Sequence, residues 1–287
     1  MKRVRLFLLF SFFCFIASFV SLYVIGGILV SPRPAVIGAP PEGLPIEVVQ
    51  IPKDGDSLVH GWFLQARPAK AGLLLLHGVG ANRKEMLERA KFLFSAGYSV
   101  LLIDMQAHGE TSGEYITFGF LESIDVHASL KYLRARVDGR KIGIIGSSMG
   151  GAAALLGEQA VDADALILEG VFGTLEQAIE NRIVMRLGRL GRVLSPLLFL
   201  QFEPRLGIPL ESMSPATAIT NYHGPVLIAS GTEDRHAFPS EAQAIFDSAN
   251  QPKSLWFVEG AQHQDLHRYN KHSYQRKVLS FFEKYLK

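Results

Sequence analysis

The segment from Gly146 to Gly151 reads Gly-Ser-Ser-Met-Gly-Gly and is the most informative part of this chain. It follows the apolar run Ile142 to Ile145 and precedes a run of alanines and leucines at 152–156, so a strand, a tight turn and a helix succeed one another. A serine at the apex of such a turn has a strained backbone, and the glycines two residues before and after it allow close approach of neighbouring chain. Its hydroxyl then lies near a helix N-terminus, where backbone amides favour developing negative charge. The segment therefore predicts that Ser148 is a nucleophile, whereas Ser147 is out of register.

Short apolar runs rich in Val, Ile and Leu alternate with helical patterns on both sides of this segment. The runs cover residues 73–76, 100–103, 142–145, 165–168, 226–229 and 255–258. Continuous apolar runs of this length are typical of strands buried on both faces of a mainly parallel sheet. Residues 47–51 and 58–64 indicate two earlier strands, joined in an antiparallel hairpin by a turn at Asp54-Gly55. We predict an α/β fold with a mostly parallel central sheet and helices on both faces.

The chain between Val171 and Asn221 interrupts this alternation. It has helical character without a clear strand and is far longer than the roughly 2 to 6 residues usual for a connection in an α/β unit. We interpret residues 171–221 as an inserted, short helical cap. One side of a projected helix carries arginines and another carries aliphatic residues: Arg182, Arg186, Arg189 and Arg192, and Ile183, Leu187, Leu190 and Leu194. We favour a helix that covers a substrate cleft over one that rests on anionic lipid, since surface helices are commonly amphipathic.

The N-terminus is basic and then strongly apolar. Lys2, Arg3 and Arg5 precede Leu6 to Val30, a stretch without any charge. At about 1.5 Å per residue a helix of this length crosses a ~30 Å hydrocarbon core, whereas a cleaved signal peptide usually has a shorter apolar region. Residues 1–30 are therefore predicted to be a cytoplasmic basic end and a transmembrane signal anchor. The basic end predicts a catalytic domain on the non-cytoplasmic side, which is periplasmic if the source is bacterial.

Five prolines in residues 31–45 predict an extended stalk between this anchor and a domain at residues 46–287. The whole chain of 287 residues is 48% hydrophobic and 20% charged, which excludes a mainly disordered protein and a disulfide-stapled miniprotein. Beyond the basic end, 26 basic residues face 27 acidic ones, so no nucleic-acid partner is expected. The single cysteine, Cys14, lies in the apolar stretch, so no internal disulfide and no catalytic thiol are expected.

Two further segments complete a resemblance to the α/β-hydrolase superfamily of serine hydrolases, and within it to membrane-anchored, single-span members with a short cap. His77-Gly78-Val79-Gly80 follows the run 73–76, where this family places its oxyanion loop. Residues 104–112 resemble the family loop Asp-x-Arg-Gly-His-Gly-x-Ser, although Gln106 and Ala107 replace its Arg and Gly. The resemblance covers residues 48–286 and implies an α/β-hydrolase fold.

A serine hydroxyl needs a base within hydrogen-bond reach and a group that orients this base. The family order is serine, acid, histidine. Residues 226–229 are followed by Ser-Gly-Thr-Glu-Asp, which ends at Asp234, and residues 255–258 by Glu-Gly-Ala-Gln-His, which ends at His263. The resemblance therefore implies Asp234 as the acid and His263 as the base. The backbone amides of Val79 and Met149 are expected to form the oxyanion hole.

Other acidic residues compete for the role of Asp234. Glu169 follows the run 165–168, a second position from which some relatives supply the acid, and Glu233 adjoins Asp234. Asp265 is interpreted as a residue that shapes the loop after His263. Asp234 is preferred because it combines the family order with the matching loop.

Four other histidines are given structural interpretations. His77 and His108 precede the nucleophile in the chain and are interpreted as loop residues hydrogen-bonded to backbone. His267 and His272 are interpreted as surface histidines, because neither a nearby Cys nor a His-Glu-x-x-His pattern indicates a metal site. No metal and no organic cofactor are expected.

These residues predict a serine hydrolase that cleaves carboxylic ester or thioester bonds through an acyl-enzyme intermediate. The expected partners are a small-molecule or lipid-like acyl substrate and, through the N-terminal helix, a membrane. A serine peptidase of the same fold is one alternative, because amide and ester hydrolysis share this arrangement. A hydrolase-like module that binds without turnover is another, because fold alone does not establish activity. The sequence leaves the oligomeric state open.

Overall fold

The computed structural model describes residues 2–53, 55 and 57–287. The strands in chain order are β1 (Arg33–Pro34), β2 (Ile46–Pro52), β3 (Leu58–Leu64), β4 (Gly72–Leu76), β5 (Ser99–Ile103), β6 (His108–Gly109), β7 (Ile142–Ser147), β8 (Ala165–Glu169), β9 (Val226–Gly231) and β10 (Lys253–Val258). The α-helices are α1 (Lys2–Val30), α2 (Leu87–Ser95), α3 (Glu122–Arg136), α4 (Met149–Ala153), α5 (Leu175–Leu187), α6 (Arg189–Phe199), α7 (Phe202–Leu206), α8 (Pro215–Ala218), α9 (Pro239–Ser248), α10 (Leu266–Tyr269) and α11 (Lys271–Tyr285). Short 3-10 turns cover Arg83–Met86, Leu210–Ser212 and Ile219–Asn221.

Eight strands form one sheet in the order β10-β9-β8-β7-β4-β5-β3-β2. The six strands from β10 to β5 are parallel, while β3 and β2 are antiparallel to their neighbours. Every residue of β4, β5 and β8 is buried, as expected of apolar strands covered by helices on both faces. The structure confirms the predicted α/β-hydrolase fold and the β2–β3 hairpin. The turn predicted at Asp54-Gly55 includes Asp54, which lies outside the described residues.

The register of the parallel strands positions the predicted site residues. Leu76 at the end of β4 pairs with Gly146 in β7, so the loop after β4 lies beside the Ser148 turn. Val258 at the end of β10 pairs with Gly231 at the end of β9, so the two loops that follow these strands are also neighbours. Since all four strands point the same way, their loops meet at one edge of the sheet.

The predicted cap region contains α5 to α8 and is not organised around one amphipathic helix. Helix α5 begins with a capping box in which Thr174 and Gln177 bind each other's backbone amides. It ends at Gly188, whose φ of 57° is left-handed, and α6 then turns back along α5. A Cβ atom at Gly191 would lie 2.8 Å from the carbonyl oxygen of Ile183, so this glycine allows the two helices to pack closely. The arginine stripe projected across residues 182–194 is therefore divided between two helices.

The end of α1 packs against the catalytic domain. The Val30 side chain is 1% exposed, and its carbonyl accepts a hydrogen bond from the Ile116 amide at 2.8 Å. In the cap, the side-chain amide of Gln201 donates to the Leu22 carbonyl at 3.1 Å, and the Arg205 guanidinium donates to the Tyr23 carbonyl at 3.0 Å. The sequence predicts that α1 spans a membrane, yet no helix within the residues that the structure describes is long and apolar enough to do so.

Residues 31–45, predicted to be a stalk, run along the surface of the domain. Strand β1 pairs in parallel with β6, and the Arg33 and Ala35 amides donate to the carbonyls of Ala107 at 2.6 Å and of Gly109 at 2.8 Å. The Ile37 side chain is buried. This segment therefore makes specific main-chain contacts with the loop that follows β5.

Candidate active site

Ser148 occupies a strained turn between β7 and α4. Its φ of 49° and ψ of −113° are rare for a non-glycine residue, and its amide donates to the Glu169 carbonyl at 2.7 Å. A Cβ atom at Gly146 would lie 2.5 Å from Gly151 Cα, and one at Gly150 would lie 2.5 Å from the Leu76 carbonyl oxygen. Both glycines are therefore required by close backbone contacts, as the sequence pattern indicates.

Asp234 and His263 lie in the loops after β9 and β10 and form a hydrogen-bonded pair. Asp234 Oδ2 lies 2.7 Å from His263 Nδ1, while Asp234 Oδ1 accepts the amides of His236 at 2.8 Å and Ala237 at 2.9 Å. Since an ionised carboxylate can only accept, the proton of this bond lies on Nδ1 of the imidazole. The second nitrogen, Nε2, is then left with a lone pair that can accept a proton.

The structure brings Ser148 to the same cavity as this pair. Ser148, Asp234 and His263 line a cavity of about 310 Å³. In the part of the chain that the structure describes, the Ser148 hydroxyl makes no hydrogen bond to another group. In ligand-free enzymes the hydrogen bond between a nucleophilic serine and its histidine base is often long, and it shortens when substrate binds.

Met149 follows Ser148 directly, and Val79 lines the same cavity as Ser148. Among the described residues neither amide donates a hydrogen bond, although their neighbours do. The Gly78 amide donates to Glu85 at 3.1 Å and the Gly80 amide to His108 Nε2 at 3.0 Å. Two donors that are available beside a serine hydroxyl are what an oxyanion hole requires.

His77 and His108 hold the loops around this site, as predicted. His77 Nε2 accepts the Met105 amide at 3.1 Å and its Nδ1 donates to the Gly78 carbonyl at 2.7 Å. His108 Nδ1 donates to the Gln106 carbonyl at 2.9 Å. Burial lowers the pKa of His77 to about 3 and also lowers the pKa of His108, so both rings are neutral at pH 7.

The loop after β5 differs from the family pattern at Ala107. This residue stands where the related motif has glycine, and its φ is 59°. An L-residue pays a steric cost in this region, so the loop is strained at this point. Gln106, the other departure, binds Asp125 through its amide and the Tyr115 carbonyl through its side chain.

The rival acids are engaged elsewhere or exposed. Glu169 is buried, receives Arg89 Nη2 at 2.7 Å and also binds the Tyr274 hydroxyl. Arg89 further pairs with Asp265 at 2.9 Å. Glu233 is exposed. Of the four carboxylates considered, only Asp234 binds His263.

The interpretation of His267 as a surface residue is wrong. Its ring is buried and stacks on Phe92 with centroids 5.1 Å apart, and its Nε2 lies 3.1 Å from Gln275 Nε2. His272 is exposed, as predicted. Across residues 2–53, 55 and 57–287, no group of three or more His, Cys, Asp and Glu side chains is arranged to hold a metal ion.

Three residues of the site were not identified from the sequence. Glu85 lines the cavity, and burial raises the pKa of its carboxyl. The His236 ring stacks on the His263 ring with centroids 5.0 Å apart, and burial followed by the charge of Arg182 lowers the pKa of His236. Arg182 of α5 lines the cavity from the cap side. His236 could have been noticed from its position two residues after Asp234, and Arg182 was part of the arginine stripe in the predicted cap, whereas Glu85 belongs to no motif.

A second, apolar cavity of about 300 Å³ adjoins the first. Val79, Ser148 and Arg182 line both cavities. The first cavity is lined by several polar and charged side chains, including Glu85, His236 and Asp265, whereas apolar side chains, many of them from α1, α5 and α6, make up most of the wall of the second. The Ser148 hydroxyl therefore lies at a boundary between a polar and an apolar space.

Comparison with known proteins gives matches over most of the chain. A sequence model of the alpha/beta hydrolase family matches residues 73–272. The uncharacterized protein YqkD of Bacillus subtilis is 25% identical over 229 residues, which cover 78% of this chain and 75% of that protein. The Pyrococcus furiosus esterase Pf2001 superposes with a TM-score of 0.74 and 20% identity, covering 90% of this chain and 99% of its own. The Exiguobacterium antarcticum esterase EaEST superposes with a TM-score of 0.60 and 16% identity, covering 83% and 100% of the two chains.

Proposed function

The chain belongs to the alpha/beta hydrolase family, and we propose that it is a serine hydrolase that cleaves carboxylic ester bonds. Ser148 is the nucleophile, His263 the general base and Asp234 the residue that orients the base. The observation that carries this proposal is the pairing of Asp234 with His263 beside a cavity that also contains the strained Ser148. The two structural neighbours named as esterases support ester chemistry by their names, and their likeness to this chain is one of fold.

The reaction proceeds in two halves. His263 Nε2 takes the proton of the Ser148 hydroxyl as its oxygen attacks the acyl carbonyl, and the protonated imidazole then gives this proton to the departing alcohol. Water attacks the resulting acyl-enzyme, His263 again accepts the proton, and the carboxylic acid leaves as Ser148 is regenerated. Asp234 holds the imidazole in the tautomer with its proton on Nδ1 and stabilises the positive charge that forms on the ring.

The negative charge on the carbonyl oxygen is met by the amides of Val79 and Met149. Neither amide has to abandon another described partner, so both are preorganised for this role. Loss of one donor of this kind typically costs about 3 to 4 kcal/mol of transition-state stabilisation. The hydrogen bonds from Gly78 to Glu85 and from Gly80 to His108 keep the intervening Val79 amide in place.

A fluorophosphonate probe combined with p-nitrophenyl butyrate turnover tests the proposal. The wild-type protein should be labelled and should release p-nitrophenol, and Ser148→Ala should abolish both. Ser147→Ala is the matched control, because it removes the neighbouring hydroxyl, and it should keep both signals. Labelling that persists in Ser148→Ala would refute the assignment of the nucleophile. A wild-type protein that is neither labelled nor active on acyl esters would favour the non-catalytic module, and turnover of aminoacyl amides alone would favour a peptidase.

The location of the protein stays a prediction from its N-terminal sequence. We propose a catalytic domain on the non-cytoplasmic side of a membrane, because basic residues precede the apolar helix. Cell fractionation, followed by protease treatment of intact and of permeabilised cells, tests this location. Recovery of the protein from the cytosolic fraction would contradict it.

A further inference from the structure

The apolar cavity beside Ser148 is built by two parts of the chain that are far apart in sequence. Helix α1 contributes Leu22, Ile25 and Leu29, which are spaced three and four residues apart and therefore share one face of the helix. The cap contributes aliphatic side chains from α5 and α6: Ile179, Leu194 and Leu198. A volume of about 300 Å³ is at the small end of the range for ligand pockets. The cavity suits one apolar chain and is too small for a folded protein substrate.

Specific contacts hold the α1 face in this position. Arg205 donates to the Tyr23 carbonyl, and its guanidinium lies 4.3 Å from the centre of the Tyr23 ring. A Cβ atom at Gly26 would lie 2.3 Å from Oε1 of Gln201, so glycine permits the close approach of α1 to the cap. With Val30 buried in the domain, the helix is fixed at both edges of the cavity. These contacts place the α1 side chains in the cavity wall.

The two cavities assign the two halves of an ester to opposite sides of Ser148. Glu85, His263 and Asp265 line the first cavity, which offers hydrogen-bonding groups to an alcohol leaving group. Apolar side chains such as Leu29 make up most of the lining of the second, which also includes Arg182 and Arg186. An ester whose carbonyl lies at the Val79 and Met149 amides would place its acyl chain in the second cavity. The polar alcohol would occupy the first cavity, because a mainly apolar space is unfavourable for it.

We infer that helix α1 is a wall of the acyl-binding pocket and that Leu22, Ile25 and Leu29 determine the length of the acyl chain that the enzyme accepts. The inference rests on the proposed function and names its substrate class, an ester of a single acyl chain of moderate length with a polar alcohol. Each methylene buried in such a pocket contributes about a fourfold gain in kcat/KM. The enzyme therefore hydrolyses p-nitrophenyl octanoate with a higher kcat/KM than p-nitrophenyl acetate.

Substitution of Leu29 changes the volume of the pocket without touching the reacting groups. Leu29→Trp fills the pocket and should lower the octanoate-to-acetate ratio of kcat/KM by about tenfold or more. Leu29→Ala enlarges it and should raise the laurate-to-octanoate ratio. Ile28→Trp is the matched control, because Ile28 is the adjacent residue of α1, is 54% exposed and does not line the pocket. This control should keep the wild-type ratios.

The possible outcomes distinguish the role of α1 in acyl-chain selection from the proposed hydrolytic activity. Unchanged ratios in both Leu29 variants, or an equal change in Ile28→Trp, would overturn the inference even if the enzyme is fully active. Fluorophosphonate labelling shows that each variant is folded, and if Leu29→Trp is not labelled, the laurate-to-octanoate ratio of Leu29→Ala decides. A wild-type protein that hydrolyses no ester would instead refute the proposed function.

Discussion

One oxygen of the Asp234 carboxylate lies 2.7 Å from Nδ1 of His263, and the other oxygen accepts hydrogen bonds from two backbone amides. This arrangement orients the carboxylate toward the imidazole.

In Asp234→Asn the remaining oxygen can still accept the hydrogen bonds of these amides, but an NH2 group then faces His263. The imidazole must accept at Nδ1 and carry its proton on Nε2, where it cannot act as a base. We expect kcat for p-nitrophenyl butyrate to fall by about 10⁴-fold, with little change in urea-induced unfolding. Glu233→Gln, at an exposed neighbouring position, should keep wild-type kcat. Nearly full activity in Asp234→Asn would require another acid.

Gly150→Ala tests the close packing beneath Ser148. The new Cβ atom would lie 2.5 Å from the Leu76 carbonyl oxygen, and a backbone atom cannot move aside as a flexible side chain can. We expect the free energy of unfolding to fall by about 1 to 3 kcal/mol, despite the higher helix propensity of alanine. Gly78→Ala is the matched control for stability, because its Cβ would meet nothing closer than 3.7 Å. Urea denaturation of both variants decides, and a Gly150→Ala protein as stable as wild type would contradict the steric argument.

The buried pair of Arg89 and Glu169 predicts a strongly non-additive stability effect. Arg89→Met leaves the Glu169 carboxylate buried without its cation, which should lower the free energy of unfolding by about 3 to 5 kcal/mol. The double variant Arg89→Met with Glu169→Leu removes the stranded charge and should be more stable than the sum of the single effects indicates. A double-mutant cycle by urea denaturation measures this difference. If the losses in free energy of unfolding are additive, the two residues stabilise the protein independently and the prediction is wrong.

Buried His77 predicts a loss of stability in acid. The unfolded chain binds a proton on this histidine below its ordinary pKa of 6.5, whereas burial lowers the folded-state pKa to about 3. Between these values the unfolded state binds more protons, so the contribution of His77 is complete above pH 6.5 and is lost as the pH falls. We expect the stability advantage of wild type over His77→Asn to shrink by about 2 kcal/mol between pH 7 and pH 5.

Urea denaturation of the two proteins across this pH range measures the effect of His77. Burial raises the pKa of Asp125 to about 6, which gives a pH dependence of the opposite sign. Because both proteins contain Asp125, its contribution cancels in the difference. Parallel pH profiles for wild type and His77→Asn would contradict the prediction.

The sheet could be predicted because its signal is local. Each of the six apolar runs lies within an observed strand, as Leu73 to Leu76 lies within β4 and Ala165 to Leu168 within β8. A strand buried on both faces must be apolar at every position, so composition alone reveals it. The run 255–258 formed β10 at the edge of the sheet, where burial is only partial. The pairing of Asp234 with His263 was also accessible, since both follow strand ends in the family order.

Features that depend on distant contacts could not be predicted. Arg89 and Glu169 are 80 residues apart, and neither lies in a sequence pattern that predicts a buried ion pair. The burial of His267 depends on Phe92 of α2, and the division of α5 from α6 at Gly188 depends on how α6 packs back on α5. The apolar stretch before Val30 predicts a helix, yet nothing in its sequence reveals that one face of it lines a cavity beside Ser148.

The pairing of β1 with β6 has a practical consequence for producing this enzyme in a shortened form. The Arg33 and Ala35 amides donate hydrogen bonds to the main-chain carbonyls on either side of His108. His108 Nε2 accepts the Gly80 amide, which is adjacent to the Val79 amide that we propose for the oxyanion hole. A shortened protein that begins at Ile46, where the eight-stranded sheet starts, would lack the pairing of β1 with β6. A shortened version that begins at Ser31 keeps this pairing but loses Val30 and the α1 side chains that line the apolar cavity, so work on acyl-chain preference requires α1 as well as β1.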